Sequence, residues 1–284
     1  MKSKWMPYIA LIPVIIIIFL FYIIPIYNTF YESLHDFYGR YVGLETFYNV
    51  IASKSFQNAF VYTVELSLIT TIISIILSII TAMALKDTFI GKKLVLFCYQ
   101  FNVSIPHITM ATMILFIFSQ SGIVSSIAYQ LGYIDNWFDF PRIVEDSSMF
   151  GTVVSFCLKF IPFIGLSVLS VLMSSSNECE NQSLSLGVGK FRTFFYVTLP
   201  SLKTSIFSTS MIVFAYCFGS YEVPTILGKT QTLAMLAYNS YNNYYDINAI
   251  YVAYSTSLII AAVTISAAVI YLYIINRSKA EVTI

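Results

Sequence analysis

Charged residues are scarce in this sequence. Lys, Arg, Asp and Glu make up 10% of the 284 residues and apolar residues 58%, whereas a typical soluble domain is about 25% charged. A soluble fold could not keep this much Ile, Phe and Leu away from water, so the composition excludes a soluble globular protein. The sequence predicts an all-α protein that crosses a membrane several times.

Motifs for catalysis and metal binding are also missing. There is no Walker sequence G-x-x-x-x-G-K-[ST], and neither H-E-x-x-H nor G-x-S-x-G occurs. The cysteines show no CxxC or Cys/His spacing, and we interpret them as small packing residues: Cys98, Cys157, Cys179 and Cys217. We therefore expect no catalytic residue, metal site or cofactor in this chain, which is not predicted to be an enzyme.

Long apolar runs predict six membrane-spanning helices in one transmembrane domain over residues 1–284. The spans are expected at about 8–31, 60–85, 94–118, 150–173, 205–227 and 250–275. The first run is too long for a signal peptide and no small-residue cleavage site follows it, so we expect it to be retained. Residues 32–57 are expected to form a loop or short surface helix, and 229–248 a loop rich in Tyr and Asn.

The distribution of basic residues predicts the orientation. Six spans place both termini on one side, which carries ten basic residues: Lys2, Lys4, Lys86, Lys92, Lys93, Lys190, Arg192, Lys203, Arg277 and Lys279. The other side carries four: Arg40, Lys54, Arg142 and Lys229. Because positively charged loops stay in the cytoplasm, both termini and the polar segment at 174–204 are predicted to be cytoplasmic.

The segment 174–204, called the coupling loop below, is a polar interruption between two very apolar blocks. Its first half predicts a short helix, because Glu178 and Glu180 stand where the helix dipole favours acidic groups and Gly187 supplies a stop. Pro200 is expected at or just inside the start of the fifth span. We expect this short helix to lie along the membrane surface.

The coupling loop resembles the cytoplasmic signature of permease subunits of binding-protein-dependent ABC importers, which have the type I permease fold. That signature reads Glu-Ala-Ala, three residues, Gly, and about a dozen residues later an apolar residue, any residue and Leu-Pro. Gly187 stands thirteen residues before Pro200, and Leu199 precedes it, as the signature requires. The Glu-Ala-Ala positions hold other residues, namely Asn181, Gln182 and Ser183, and Glu180 comes one position early.

The resemblance covers nearly the whole chain. The segments 159–163 and 218–224 resemble the spermidine/putrescine-type group of these permeases, which also includes importers of iron, thiamine and phosphonates. The resemblance implies that the coupling loop docks into a cytoplasmic ATPase subunit. It assigns a role in ATPase coupling to the following residues: Glu178, Glu180, Asn181, Gln182, Ser183, Leu184, Leu186, Gly187, Leu199 and Pro200.

The resemblance also implies the partners. These are two copies of an ABC ATPase, which bind the ATP and Mg²⁺, and a second permease subunit, expected to be a different homologous chain. An extracytoplasmic solute-binding protein docks on the outer loops, where the Tyr- and Asn-rich residues 238–245 are either a partner surface or an interfacial aromatic belt. The location is the cell membrane of a prokaryote, with lipid around the chain and no nucleic acid.

Three ionisable residues fall inside predicted spans: Glu65, Lys159 and Glu222. Each costs about 2.5–3.5 kcal/mol at the centre of a membrane helix, so each needs a partner or a function. One interpretation is an ion pair of Lys159 with Glu222 or Glu65, and the other is a polar lining of the translocation path that attracts a cationic solute such as a polyamine. His107 is either a pathway group or an interior histidine with satisfied hydrogen bonds.

Another class of protein remains as an alternative. A secondary transporter that works alone would be expected to show inverted repeats with matching broken helices, and no such pair is visible in the sequence. The sequence does not identify the solute, since selectivity in this architecture rests largely with the binding protein.

Overall fold

The structure is a computed structural model that describes residues 6–87, 89–144, 149–174, 176–228 and 232–282. Side chains are described in these ranges except at 6–10, 176–178 and 276–282. The fold is all-α, with 80% of the chain helical, as predicted. Within the described ranges, extended pairing amounts to one isolated bridge between His35 and Tyr41.

Six described helical segments are long and apolar enough to cross a membrane, which confirms the predicted number. They are Leu11–Ser33, Lys54–Lys86, His107–Gln130, Phe150–Ser174, Lys190–Gly219 and Ala249–Ile275. Four of them overlap the predicted spans closely. The third and fifth differ: the third begins after Pro106, and the fifth begins at Lys190, before the predicted boundary.

The first segment contains one widened stretch. Helix α1 (Met6–Ile18) continues through five residues of π-helix (Phe19–Ile23) into α2 (Ile24–Ser33). The π-helix ends just before Pro25, whose nitrogen carries no hydrogen and cannot donate to the regular helical ladder. Almost all side chains from residue 11 to 31 are exposed in this single chain, so lipid or another subunit must cover them.

A surface helix precedes the longest described core helix. Helix α3 (Glu45–Ala52) lies in the region predicted as a loop or short surface helix. Helix α4 (Lys54–Lys86) begins at Ser53, whose Oγ accepts a hydrogen bond from the Phe56 backbone N–H at 3.2 Å. At 1.5 Å per residue its 33 residues extend about 50 Å, well beyond a hydrocarbon core of about 30 Å.

The predicted third span, 94–118, is divided into two helices. Helix α5 (Lys92–Ser104) stops before Ile105 and Pro106, and α6 (His107–Phe118) follows; α7 (Ile123–Gln130) comes after a short turn. Ile105 is extended, with φ −71° and ψ 130°, as expected for the residue before a proline. The expectation of one continuous helix over 94–118 is therefore wrong, because the helix is interrupted at Pro106.

Helix α8 (Phe150–Ser174) forms the centre of the bundle and packs on both α4 and α11. Its fully buried side chains include Phe156, Ile164 and Val168. Gly165 is required here by close packing, since a Cβ at this position would come within 2.0 Å of the Tyr99 hydroxyl oxygen. The core therefore forms where α8 packs against α4, α6 and α11.

The coupling loop is largely helical. It contains α9 (Ser176–Ser185) and α10 (Lys190–Thr193), and a π-helix (Phe194–Thr198) leads directly into α11 (Leu199–Gly219). The fifth helical segment therefore starts near Lys190, earlier than the predicted boundary at 205. It ends at Ser220, which is extended, before the short helix α12 (Glu222–Ile226).

The segment predicted as a Tyr- and Asn-rich loop contains a partly buried helix instead. Helix α13 (Leu233–Tyr241) starts at Thr232, whose Oγ1 caps the Met235 N–H at 3.2 Å, and it packs between α4 and α14 (Ala249–Val282). The Leu233 N–H donates to Thr63 Oγ1 of α4 at 2.9 Å, and both residues are fully buried. This bond fixes the start of α13 against α4.

We predict that Thr63→Val destabilises the protein by about 1–3 kcal/mol, because the isosteric change leaves the buried Leu233 N–H without an acceptor. Thr71→Val is the matched control: Thr71 is also buried and also donates to the backbone four residues earlier, but it accepts no bond from α13. Thermal unfolding of the purified chain in detergent measures both. Equal losses in the two variants would contradict the proposed anchoring.

Candidate functional site

The coupling loop begins with a helix that ends as the sequence predicts. Helix α9 stops at Ser185, and Gly187 adopts φ +82°, a left-handed conformation that glycine accommodates without strain. The Gly187 N–H donates to the Leu184 carbonyl and the Val188 N–H to the Ser183 carbonyl, at 3.0 and 3.2 Å. These bonds close the helix before the chain turns towards α10.

Glu180 connects the coupling loop to the end of a membrane helix. Its Oε2 lies 2.6 Å from Lys86 Nζ, in the last turn of α4, and Thr198 Oγ1 donates to the same oxygen at 3.3 Å. The two charged side chains are only 14% and 19% exposed. Such a partly buried pair is worth more than a solvated one. Glu180 is therefore an internal tether, which argues against its predicted part in docking.

A second contact holds the two halves of the coupling loop together. Ser183 Oγ and Thr193 Oγ1 are 3.0 Å apart, and Thr193 is almost fully buried. Because Thr193 and Thr198 are both buried, α10 and the π-helix have a fixed inner face on α9. The opposite face is free for another molecule.

The free face of the coupling loop carries large apolar side chains. Leu186 is 84% exposed, Phe191 77% and Tyr196 80%. Exposed apolar groups this close together on a polar loop are typical of a protein contact. Of the other predicted coupling residues, Asn181, Gln182 and Pro200 are exposed, Leu184 and Leu199 are half-buried, and the side chain of Glu178 lies outside the described set.

Lys159 does not form the ion pair considered from the sequence. Its ammonium group donates to the carbonyl oxygens of Asn102, at 3.2 Å, Val103, at 2.5 Å, and Ile105. These carbonyls lie at the end of α5, where Pro106 interrupts the regular helical ladder. The Asn102 carbonyl also accepts a hydrogen bond from the Ile105 N–H at 3.2 Å. The three donors of the ammonium group meet three acceptors, so Lys159 stabilises the break and has no donor left for a carboxylate.

Glu222 has a different partner. Its Oε1 accepts a hydrogen bond from the Tyr216 hydroxyl, and the Tyr216 ring stacks on His107 with centroids 4.1 Å apart. His107, Lys159 and Tyr216 line a cavity of about 400 Å³ at the break between α5 and α6. The Nε2 atom of His107 is buried without a hydrogen-bond partner among the described residues, so the expectation of a satisfied interior histidine is wrong.

Glu65 lies apart from the other two ionisable residues. It is exposed in this single chain and lines a separate cavity against α13, together with Asn58 and Tyr62. In the described part of the chain, ion pairs join Arg40 to Asp36 and Lys86 to Glu180, and neither includes Glu65. Among the described residues, no two of the three predicted path residues form an ion pair. Lys159 and Glu222 lie at the same cavity, Lys159 in its lining and Glu222 through its hydrogen bond to Tyr216, and their part in a path stays a prediction.

Two residues of these sites were missed from the sequence. From the sequence, Lys86 was counted only as one of the basic residues on the cytoplasmic side. It stands at the end of a predicted span on the same side as the acidic coupling loop, and this position could have suggested an ion pair with that loop. Tyr216 gave no signal, because Tyr and Phe are so abundant that one more aromatic residue in a span carries little information.

A bundle of six membrane segments with a helical cytoplasmic-type loop ending in Leu-Pro defines a class: permease subunits of ABC importers. The chain belongs to the family described as binding-protein-dependent transport system inner membrane components, which matches residues 74–280. It is therefore a multi-pass membrane protein and the permease subunit of a binding-protein-dependent importer. The resemblance inferred from Gly187, Leu199 and Pro200 is confirmed.

Individual relatives are distant. The sulfate transport permease CysW of Synechocystis sp. is 25% identical over 249 residues, covering 86% of this chain and 84% of the relative. A homologue of the spermidine/putrescine permease PotC from Mycoplasma genitalium is 24% identical, covering 66% and 61%. The structure of a bacterial alginate ABC importer aligns with a TM-score of 0.77 and 17% identity over 97% of this chain and 96% of the other, which shows the fold.

We predict a coupling free energy of about 1–2 kcal/mol between Lys86 and Glu180, because their partly buried pair is lost equally in either single variant. A double-mutant cycle with Lys86→Met and Glu180→Gln, followed by thermal unfolding in detergent, measures it. The cycle of Glu180→Gln with Lys93→Met, another lysine of the same region, is the control and should be additive. Additivity in the Lys86 cycle would contradict the tether.

Proposed function

We propose that this chain forms half of a solute path and couples ATP hydrolysis by a partner ATPase to import. The observation that carries the proposal is the exposed apolar face of the coupling loop, with Leu186, Phe191 and Tyr196 held on a backbone that Glu180 ties to α4. A rigid loop with exposed apolar side chains can bind an ATPase and transmit its movement to a membrane helix.

The proposed assembly contains two ATPase copies, a second permease that is a different homologous chain, and an outer solute-binding protein. Both termini and the coupling loop are cytoplasmic in a prokaryotic cell membrane, as the excess of basic residues on that side supports. An alginate importer of the same fold is known in complex with a periplasmic protein carrying an alginate pentasaccharide. ATP and Mg²⁺ belong to the ATPase, which is a separate subunit in this proposal.

For the solute we propose a cation, with polyamines as the leading example. Glu65 and Glu222 are the carboxylates available to it, since Lys159 is fully occupied by backbone carbonyls. A permease relative named for spermidine and putrescine supports this choice, whereas the sulfate permease relative shows that the family also serves anions. The proposal of a cation therefore rests on the carboxylates of Glu65 and Glu222 rather than on the solutes for which the relatives are named.

We expect Leu186→Asp and Phe191→Asp to weaken ATPase binding about tenfold or more, because a charge would replace an apolar contact. Both side chains are exposed, so unfolding of the isolated chain should change by no more than about 0.5 kcal/mol. Co-purification of the ATPase with the permease measures binding. Leu131→Asp, at an exposed leucine outside the coupling loop, is the control. Unchanged co-purification in both coupling-loop variants would defeat the proposed docking.

We also expect Glu222→Gln to impair solute uptake while the ATPase still assembles with the permease. The carboxylate lies beside the cavity at the break of α5 and α6, and the change removes its charge but keeps its shape. Uptake by the assembled importer in proteoliposomes measures the effect, with Glu32→Gln as the control at an exposed glutamate of α2. Normal uptake by Glu222→Gln would exclude Glu222 from the path.

A further inference from the structure

A polar cavity lies on the exposed side of α4. It has a volume of about 550 Å³, and its polar lining comes from four residues of one helix, Ser55, Asn58, Tyr62 and Glu65. Their spacing of three, four and three residues places them on one face of α4, because a helix repeats every 3.6 residues. Leu236 of α13 forms part of the opposite wall.

Tyr62 contributes to the wall of the cavity but not to its reachable polar groups. The side chain is only 8% exposed, and its hydroxyl oxygen is buried without a hydrogen-bond partner among the described residues. Because that oxygen has almost no accessible surface, the polar groups that a solute in the cavity can reach are those of Ser55, Asn58 and Glu65, which are exposed.

Glu65 gives the cavity its charge. The carboxylate is exposed, and the ion pairs of the described residues do not include it. No Lys, Arg or His lines the cavity. A carboxylate in this setting attracts positive charge and repels anions. The other polar groups that face the cavity, the Ser55 hydroxyl and the Asn58 amide, both donate and accept hydrogen bonds.

The position along α4 places the cavity at the outer mouth of the membrane path. Between Leu66 and Leu85 there are twenty residues without a charge, enough to cross a hydrocarbon core of about 30 Å. Lys86 then marks the cytoplasmic end, where it holds the coupling loop through Glu180. Ser55 to Glu65 accordingly lie at the outer boundary, where a solute released from a binding protein would arrive.

We propose that Ser55, Asn58 and Glu65, on a wall that includes Tyr62, form an outer binding site for a cationic solute, such as a protonated amine, that donates hydrogen bonds to Glu65. The site rests on the proposed import function and adds a location and a charge preference to it. An ion pair with a second permease subunit would occupy Glu65 alone. It would leave unexplained why two further polar groups, of Ser55 and Asn58, face the same cavity.

The test uses the importer purified with its partner subunits in detergent, without the binding protein and without nucleotide, and radiolabelled spermidine as the probe. We expect saturable binding that Glu65→Gln weakens about tenfold or more and Asn58→Leu about threefold, as charged and neutral hydrogen bonds would predict. Glu32→Gln is the matched control and should bind as the unchanged importer does. Sulfate and trehalose should fail to compete at concentrations where unlabelled spermidine does.

Several results would overturn the site. They are the absence of saturable binding, equal binding by Glu65→Gln, or competition by sulfate or trehalose that equals competition by spermidine. A loss of co-purifying partner permease in Glu65→Gln would assign Glu65 to the subunit interface and likewise overturn it. Co-purification of the ATPase is scored in the same samples. An importer that assembles but does not bind spermidine therefore refutes this site and leaves the proposed coupling function standing.

Discussion

Backbone groups inside a membrane must find partners within the protein, and the interaction of Lys159 with the end of α5 meets this constraint. The break at Pro106 leaves carbonyls without helical donors, and water cannot replace those donors in the hydrocarbon region. One ammonium group from α8 donates to three carbonyl groups at the break, of which that of Asn102 also accepts from the Ile105 N–H. The cavity beside His107 lies at this break, so its wall depends on the contacts of Lys159.

Helix α4 connects the two ends of the protein. Lys86, in its last turn, holds the coupling loop through Glu180, and Glu65 stands twenty-one residues earlier, about 32 Å away along the helix. The same helix anchors α13 through Thr63. Because a packed helix moves as a rigid element, a displacement of the coupling loop reaches the wall of the outer cavity directly. Helix α4 is therefore the element through which the proposed ATPase docking would act on the proposed outer site.

Local signals in the sequence predicted local structure well. The six apolar segments and the helix that stops before Gly187 follow from composition, dipole and glycine conformation alone. Prediction failed where the partner is distant in sequence. One interpretation paired Lys159 with a carboxylate and the other placed it in a path lining, but neither foresaw that it binds carbonyls more than fifty residues earlier, at the helix break before Pro106. Helix α13 was expected to be a loop, since its Tyr- and Asn-rich composition gave no sign of the buried contact with Thr63, 170 residues away.

The Leu-Pro end of the coupling signature has a physical reason in this chain. Two π-helices occur in the described residues. Each is followed directly by an α-helix whose second residue is a proline, Pro25 in α2 and Pro200 in α11. A proline there removes one donor and widens the preceding turn without ending the helix. The coupling loop thus joins α11 continuously. With Glu180 turned inward to Lys86, the docking that we propose would use apolar side chains. Such docking needs the Gly-to-Leu-Pro spacing but not the Glu-Ala-Ala residues.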